Sequence, residues 1–330
     1  MRLYLFACIL IMSSCQSETS FQFSTYWWKN NTQTNKTQQK FLTHNKINKI
    51  YLKVFDLKWN EGNKTISVPK VHNSLDFDSV KIIPVIYIEN SVLFNFEVDT
   101  IYTIILNHYS VAIRNGIIKD YTELQIDCDW TLQSKKAYFK LLKLLSTNIT
   151  HLSATIRLHQ IKYAKTTGIP PVEKGVVMIY NLESPADTST KNSIFSYDKA
   201  LMYLDGYLKE YPLKVDIALP AFSWGVHYHH GKIKALISDF NPKGIDSLNM
   251  YQKKNGYYKS KKAHFYNTHR ISNRDEIRYE YPSISEVDKM MGFLKQNLNQ
   301  NTTEIILFSL NSEFLINNKS EYEEIISNYN

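Results

Sequence analysis

Leu124-Gln125-Ile126-Asp127-Cys128-Asp129-Trp130-Thr131 is the stretch on which the reading of this chain turns. A short apolar run carries acids at alternate positions, then opens directly into a segment of helical period. Residues two apart on a strand share a face, so Gln125, Asp127 and Asp129 are expected to project together from the strand's end. Two neighbouring carboxylates are costly inside an apolar sheet. At the carboxyl end of a barrel strand, facing a polar cleft, they have a use in acid–base chemistry or in binding sugar hydroxyls.

The same strand-then-helix unit recurs on both sides of this stretch. Candidate strands cover residues 23–28, 49–57, 81–88, 123–130, 151–158, 175–181, 215–222 and 304–310. Most are nearly continuous and rich in Val and Ile, as parallel strands covered on both faces require. Between them, Tyr138, Leu141, Leu142 and Leu145 fall on one helical face. Tyr197, Ala200, Leu201, Leu204 and Leu208 repeat the pattern, as do Val287, Met290, Met291, Leu294 and Leu298. Asp99 is placed to cap a helix containing Ile101, Ile104 and Ile105. Eight such units predict a closed, irregular (β/α)8 TIM barrel. An open doubly wound sheet is the alternative, but no Gly-rich phosphate loop follows the first strand. Residues 60–79 show no helix, and residues 223–284 form a long Tyr- and His-rich insertion after the seventh strand. Within it, Val226 to Ile233 reads as a hairpin turning at His230-Gly231. An insertion at that end of a barrel is expected to wall or cover the cleft.

The N-terminus reads as a targeting segment. Arg2 precedes an apolar run over residues 3–12, too short to span a bilayer as a mature helix. Met12-Ser13-Ser14-Cys15 resembles the lipobox of bacterial lipoproteins. That resemblance implies a signal peptide over 1–14, cleavage before Cys15 and acylation of its thiol, with a tether over 15–22 and one barrel domain over 23–330. Gln16 follows the Cys in place of the Asp that retains some lipoproteins at the inner membrane, so the expected location is the outer membrane of a bacterial cell envelope. Cys8 leaves with the leader, and Cys128 is then the one unmodified thiol, which excludes a disulfide framework. The hydrophobic fraction of 43% is ample for a core, and the net charge of +8 is scattered. No basic stripe interleaved with aromatics is present, so nucleic acid is not an expected partner. The excess would favour anionic glycans or lipid headgroups. No cofactor motif is present.

Polar and aromatic residues end nearly every candidate strand: Trp28, then Asp56, Glu89, Asp127 with Asp129 and Trp130, Arg157 with His159, Tyr180 with Asn181, Trp224, and Ser309 with Asn311. Acids beside rings suit sugars, whose C–H faces stack on aromatics while their hydroxyls bond carboxylates. The catalytic candidates are Asp129 as the acid, Asp127 as a charge stabiliser, and Arg157 and Tyr180 as supports. Asp56 or Glu89 is the expected second carboxylate. Trp28, Trp130, His159, Asn181 and Trp224 are expected to contact the sugar. A structural reading stands beside this one, in which an aspartate caps the next helix, Arg157 neutralises the other, and the tryptophans fill the core. His227 and His229 share a strand face and suggest a metal, but no third ligand at characteristic spacing accompanies them, so no metal is expected.

The runs LQIDCDWT, AYFKLL, LSATIRLHQIKY, GIPPVEKGVVMIYN and DIALPAFSWGV resemble an uncharacterised bacterial lipoprotein family, a domain of unknown function with a (β/α)8 fold. The resemblance implies the barrel and no particular reaction. A second resemblance is to the family 18 glycoside hydrolases, which include chitinases. Their fourth strand carries alternating acids and ends in a catalytic Glu, and their sixth carries Met-x-Tyr-Asp. Asp127 and Asp129 match two of the acids, and Met178-Ile179-Tyr180-Asn181 matches the sixth-strand run with Asn for Asp. Thr131 stands where that Glu belongs. Either another acid serves and the chain is a glycan hydrolase, or it is a non-catalytic glycan-binding or scaffolding lipoprotein. A metal-dependent hydrolase using Asp127, Asp129, His159, His227 and His229 is the third reading.

Overall fold

The computed structural model describes residues 19–29, 34–68, 80–119, 122–242, 249–298 and 300–330. The expected signal peptide, Cys15 and the start of the expected tether lie outside the described residues.

The strands in chain order are β1 (Ser20–Trp27), β2 (Lys49–Asn60), β3 (Thr65–Ser67), β4 (Lys81–Ile88), β5 (Glu123–Asp127), β6 (His151–Arg157), β7 (Lys174–Met178), β8 (Val215–Pro220), β9 (Trp224–His229), β10 (Lys232–Ser238), β11 (Tyr251–Lys254), β12 (Tyr257–Ser260), β13 (His264–Tyr266), β14 (His269–Ile271), β15 (Glu276–Glu280) and β16 (Thr302–Phe308). Eight of them pair in parallel in the order β1-β16-β8-β7-β6-β5-β4-β2, and β1 pairs with β2 to close the ring. The fold is a (β/α)8 TIM barrel, and every expected strand is present. Their ends differ from expectation. β1 begins at Ser20, inside the expected tether, and β7 stops at Met178, so Tyr180 and Asn181 sit on the loop beyond it. β3 folds back antiparallel on the end of β2, within the stretch read as lacking a helix.

The helices are α1 (Lys36–His44), α2 (Val92–Asn95), α3 (Val98–Arg114), α4 (Lys135–Leu145), α5 (Leu158–Lys162), α6 (Ala164–Thr167), α7 (Tyr197–Leu204), α8 (Ile284–Asn297), α9 (Glu313–Asn317) and α10 (Lys319–Tyr329). The predicted stripes face the barrel: Tyr138, Leu141, Leu142 and Leu145 of α4 are buried, as are Val287, Met290, Met291 and Leu294 of α8. Asp99 is not a cap. Glu97 holds the cap position of α3, and Asp99 lies in the first turn, where it pairs with Lys140 at 2.8 Å. An acid in the first turn still suits the helix dipole.

The two ends of the barrel differ in chemistry. At the amino end, Lys49 and the Tyr51 hydroxyl both donate to Glu304, at 2.7 and 3.0 Å, while Lys174 pairs with Asp216. The Glu304 amide donates to Asp216 at 3.0 Å, which joins the two groups. Such a sealed cluster at the bottom of a barrel serves stability. In the barrel's middle the Tyr26 hydroxyl donates to Gln125 at 2.6 Å, which satisfies a fully buried amide. Gln125 is therefore interior support for the carboxylates above it.

The insertion after the seventh barrel strand forms a five-stranded antiparallel sheet, β10-β9-β15-β12-β11, and a β13–β14 hairpin. Its first turn falls at His230 and Gly231, both with positive φ (49° and 73°), the conformation two-residue hairpins favour. The sheet has its own small core, around Ile237, Phe240, Tyr251, Tyr258, Ile271 and Ile277. A buried Arg278–Glu280 pair ties it to the barrel. Arg278 donates to the carbonyls of Pro185 and Asp187, and Glu280 accepts from Ser193 and from the Trp224 indole.

Candidate active site

The barrel's carboxyl end opens into a cleft of about 180 Å³. Its floor is Asp127, the last residue of β5, with Asp129 just beyond the strand. Its walls are the rings of Trp28, Tyr87, Tyr180 and Phe308, with Met178, Arg157 and Asn181 completing the rim. The rings brace one another. Tyr180 stacks on Phe308 at 4.9 Å with planes 29° apart, and Trp28 meets Phe308 at 5.3 Å. Pocket-forming rings locked in this way hold their shape without a ligand.

The two aspartates differ in setting. Asp127 accepts the Thr155 hydroxyl at 2.7 Å and lies half-buried on the cleft floor, walled in by protein on its other sides. Burial pushes its carboxyl up from the usual 3.8 to about 7; the Thr155 bond and the charges of Arg157 and Lys53 oppose this, while Asp129 adds to it. Asp129 is exposed and pairs with Arg157 at 3.1 Å. Arg157 also donates to the Asn181 carbonyl at 3.3 Å, so one guanidinium links the loops after β5 and β7. Asn181 adopts φ +55°, a conformation Asn tolerates better than most residues. The pair can hold one proton near neutral pH on Asp127 beside a carboxylate held by Arg157.

The structure brings together Trp28, Asp127, Asp129, Arg157, Tyr180 and Asn181 from the expected set, and leaves the others out of the lining. Trp130 is 2% exposed and packs on Tyr138 and Phe139 of α4, on the core side of the segment that leads into the helix. Trp224 packs on Phe222 and donates its indole N–H to Glu280 at 2.8 Å, so it serves the insertion's wall. Asp56 is buried between Lys53 and Lys58, at 3.2 and 3.3 Å, and Glu89 accepts the Ser91 hydroxyl at 2.6 Å. Neither lines the cleft as the second carboxylate; Asp129 fills that place. His159 stands exposed on α5. His227 and His229 both hydrogen-bond the buried Asp275, at 2.7 and 2.6 Å. Among the described residues no group of three or more His, Cys, Asp and Glu is placed to hold a metal.

Sequence reasoning missed Tyr87, Phe308 and Lys53, and named Met178 only within the run that resembles family 18 barrels. Tyr87 lies in register between Asp56 and Asp127 on its neighbouring strands, so strand alignment would have found it. Lys53 sits with its ammonium 5.2 Å over the Trp28 ring and places positive charge near Asp127.

No protein-family model matches the sequence, and neither does any curated protein. Solved structures do share its fold. The spore cortex-lytic enzyme SleL of Bacillus megaterium QM B1551 is 12% identical with a TM-score of 0.54, over 93% of this chain and 74% of that one. The C-terminal domain of a chitinase candidate from Desulfitobacterium hafniense DCB-2 is 10% identical with a TM-score of 0.56, over 95% and 99%. The chitinase Chi1 of the Yersinia entomophaga toxin complex is 11% identical with a TM-score of 0.50, over 93% and 87%. At these identities the likeness is one of fold, and it agrees with the resemblance to family 18 barrels at that level.

Proposed function

We propose that this chain acts on a glycan, seating one sugar ring among Trp28, Tyr180 and Phe308 above the Asp127–Asp129 pair. The volume is below that of a drug-sized pocket and suits a single ring-sized group. Asp127 holds a proton near neutral pH and donates it to the glycosidic oxygen. Asp129, steered by Arg157, stabilises the positive charge that develops on the ring or directs a water to it. The observation that carries this reading is the unlike pair at the floor of a ring-lined cleft: one half-buried carboxyl and one exposed, ion-paired carboxylate.

The solved neighbours are named for chitin and spore cortex, so chitin oligosaccharides, bacterial cell-wall glycan and a panel of aryl glycosides are the substrates to try. Asp127→Asn is expected to cut turnover by at least about 100-fold, the lower range for loss of a general acid, while binding persists. Unchanged turnover in that variant refutes the assignment. One observation favours binding without cleavage. Thr131, at the position where family 18 barrels carry their acid, has its amide and side chain committed to Ser134, so no proton donor stands there. A parent protein that binds these glycans and releases no product supports that second reading.

The envelope location and the Cys15 anchor belong to the same proposal. They rest on the lipobox-like run, and labelling cells with a palmitate analogue tests them: Cys15→Ser is expected to abolish incorporation.

A further inference from the structure

A second cleft, of about 550 Å³, lies between the insertion sheet and α9, and it shares no lining residue with the first. Tyr279, Tyr281 and Phe314 form a row of rings along it. Their centroids are 5.0 and 5.9 Å apart and their planes are tilted by 36° and 33°. Tyr281 stands in the middle of the row, in contact with both of the others, and is 47% exposed. Its open face is available to stack against a ligand. The rest of the rim is polar and of mixed sign. Lys253 and Asn317 are exposed there, as is Glu313. Asp239 is held by the Ser312 hydroxyl and the Glu313 amide, at 3.1 and 3.0 Å.

We infer that this cleft is a second glycan-binding site, which takes a run of sugars from a longer oligosaccharide. An exposed ring suits a pyranose C–H face, and the surrounding amide, ammonium and carboxylate groups suit its hydroxyls. A lipid or an apolar peptide would make no use of these rim groups. The second cleft is about three times the volume of the first, which leaves room for more than one ring. The two clefts back onto consecutive residues of one loop. Phe222 packs on Tyr180 and Phe308 of the first, and Ser223 lines the second. A long glycan held at the second site therefore stays close to the acid pair, which raises its local concentration there. The inference rests on the glycan reading of the strand-tip cleft only for its choice of probes.

The test is calorimetric titration of the full chain with chitohexaose and cellohexaose. Tyr281→Ala is expected to weaken hexasaccharide affinity by about tenfold, the value of one good ring contact. Its rate on an aryl monoglycoside and its melting temperature stay as in the parent. Tyr281→Phe keeps the face and the affinity. Parental affinity in Tyr281→Ala overturns the inference, as does a parent that binds neither hexasaccharide. If Tyr281→Ala melts early, Lys253→Ala and Asn317→Ala replace it, and undiminished affinity in both overturns the inference. Asp127→Asn reads the other cleft separately, through turnover of the small glycoside, so either site can fail without the other.

Discussion

Asp127→Asn is expected to stabilise the protein, and to do so only above mildly acid pH. The folded carboxyl titrates at about 7 against a usual 3.8, because burial disfavours its charge. A rise of that size corresponds to at most about 4 kcal/mol, at about 1.4 kcal/mol for each tenfold change in the proton equilibrium. Asp127 opens on the cleft, and halving the figure for water that reaches it leaves about 2 kcal/mol. Below about pH 4 the acid is protonated in both states, so parent and variant, which are nearly isosteric, unfold alike. Between about pH 4 and 7 the unfolded chain releases this proton and the folded one keeps it, so the parent's stability falls relative to the variant's. Above about pH 7 the gap is constant. Asn retains an oxygen to accept the Thr155 hydroxyl, so that bond survives the change. Urea unfolding of both proteins at pH 4.5 and pH 8 measures the gap directly. A difference that is flat with pH, or a variant less stable at pH 8, refutes the raised carboxyl and with it the proton donor.

Glu280→Ala leaves the Arg278 guanidinium buried without its partner and frees the Ser193 and Trp224 donors, so a loss of about 3–5 kcal/mol is expected, read as early proteolysis of the insertion. Gly225→Ala would set a methyl 2.7 Å from Ile277 and 2.8 Å from Phe240, and overpacking there should cost about 1–3 kcal/mol by thermal unfolding. Burial holds the His227 imidazole below its usual 6.5 despite Asp275, so its contribution is complete above about pH 6.5 and is lost as pH falls towards the folded value. His227→Gln should flatten that part of the stability profile, and an unchanged profile counts against the account.

The barrel was legible because its strands are apolar on both faces, and that pattern survives any error in their ends. The site was half legible. Asp127, Arg157 and Trp28 could be placed from strand order alone. Trp130 could not, because the turn after Asp129 and the packing of α4 decide whether its ring faces cleft or core. That Asp56 falls outside the cleft and Lys53 beside Trp28 was hidden by an irregularity in register between Lys53 and Phe55. A bulge there re-aims the side chains and breaks the alternation on which the sequence reading relied. Phe308 reads in sequence as one more core residue, and only closure of the ring shows that it walls the cleft.

The proposal of Asp127 rather than Asp129 as the acid has the same origin. The sequence places Asp129 nearer the mouth, which suggests it as the acid. Position along the strand, however, does not fix which carboxyl keeps a proton; access to water and to positive charge does. Asp127 is half-buried and accepts a single hydroxyl, and its burial raises its carboxyl, while Asp129 is exposed and paired with Arg157. Under the proposed function, the need for one protonated and one ionised carboxyl would be met by residues two apart at the end of β5, without the acid that Thr131 replaces. It also makes Arg157 decisive. Arg157→Met would leave Asp129 unpaired and remove a charge that opposes protonation of Asp127. The basic limb of a turnover profile, where the acid loses its proton, should then move to higher pH. A profile that stays in place would mean that Arg157 only anchors the Asn181 loop, and the binding reading would then stand ahead of the catalytic one.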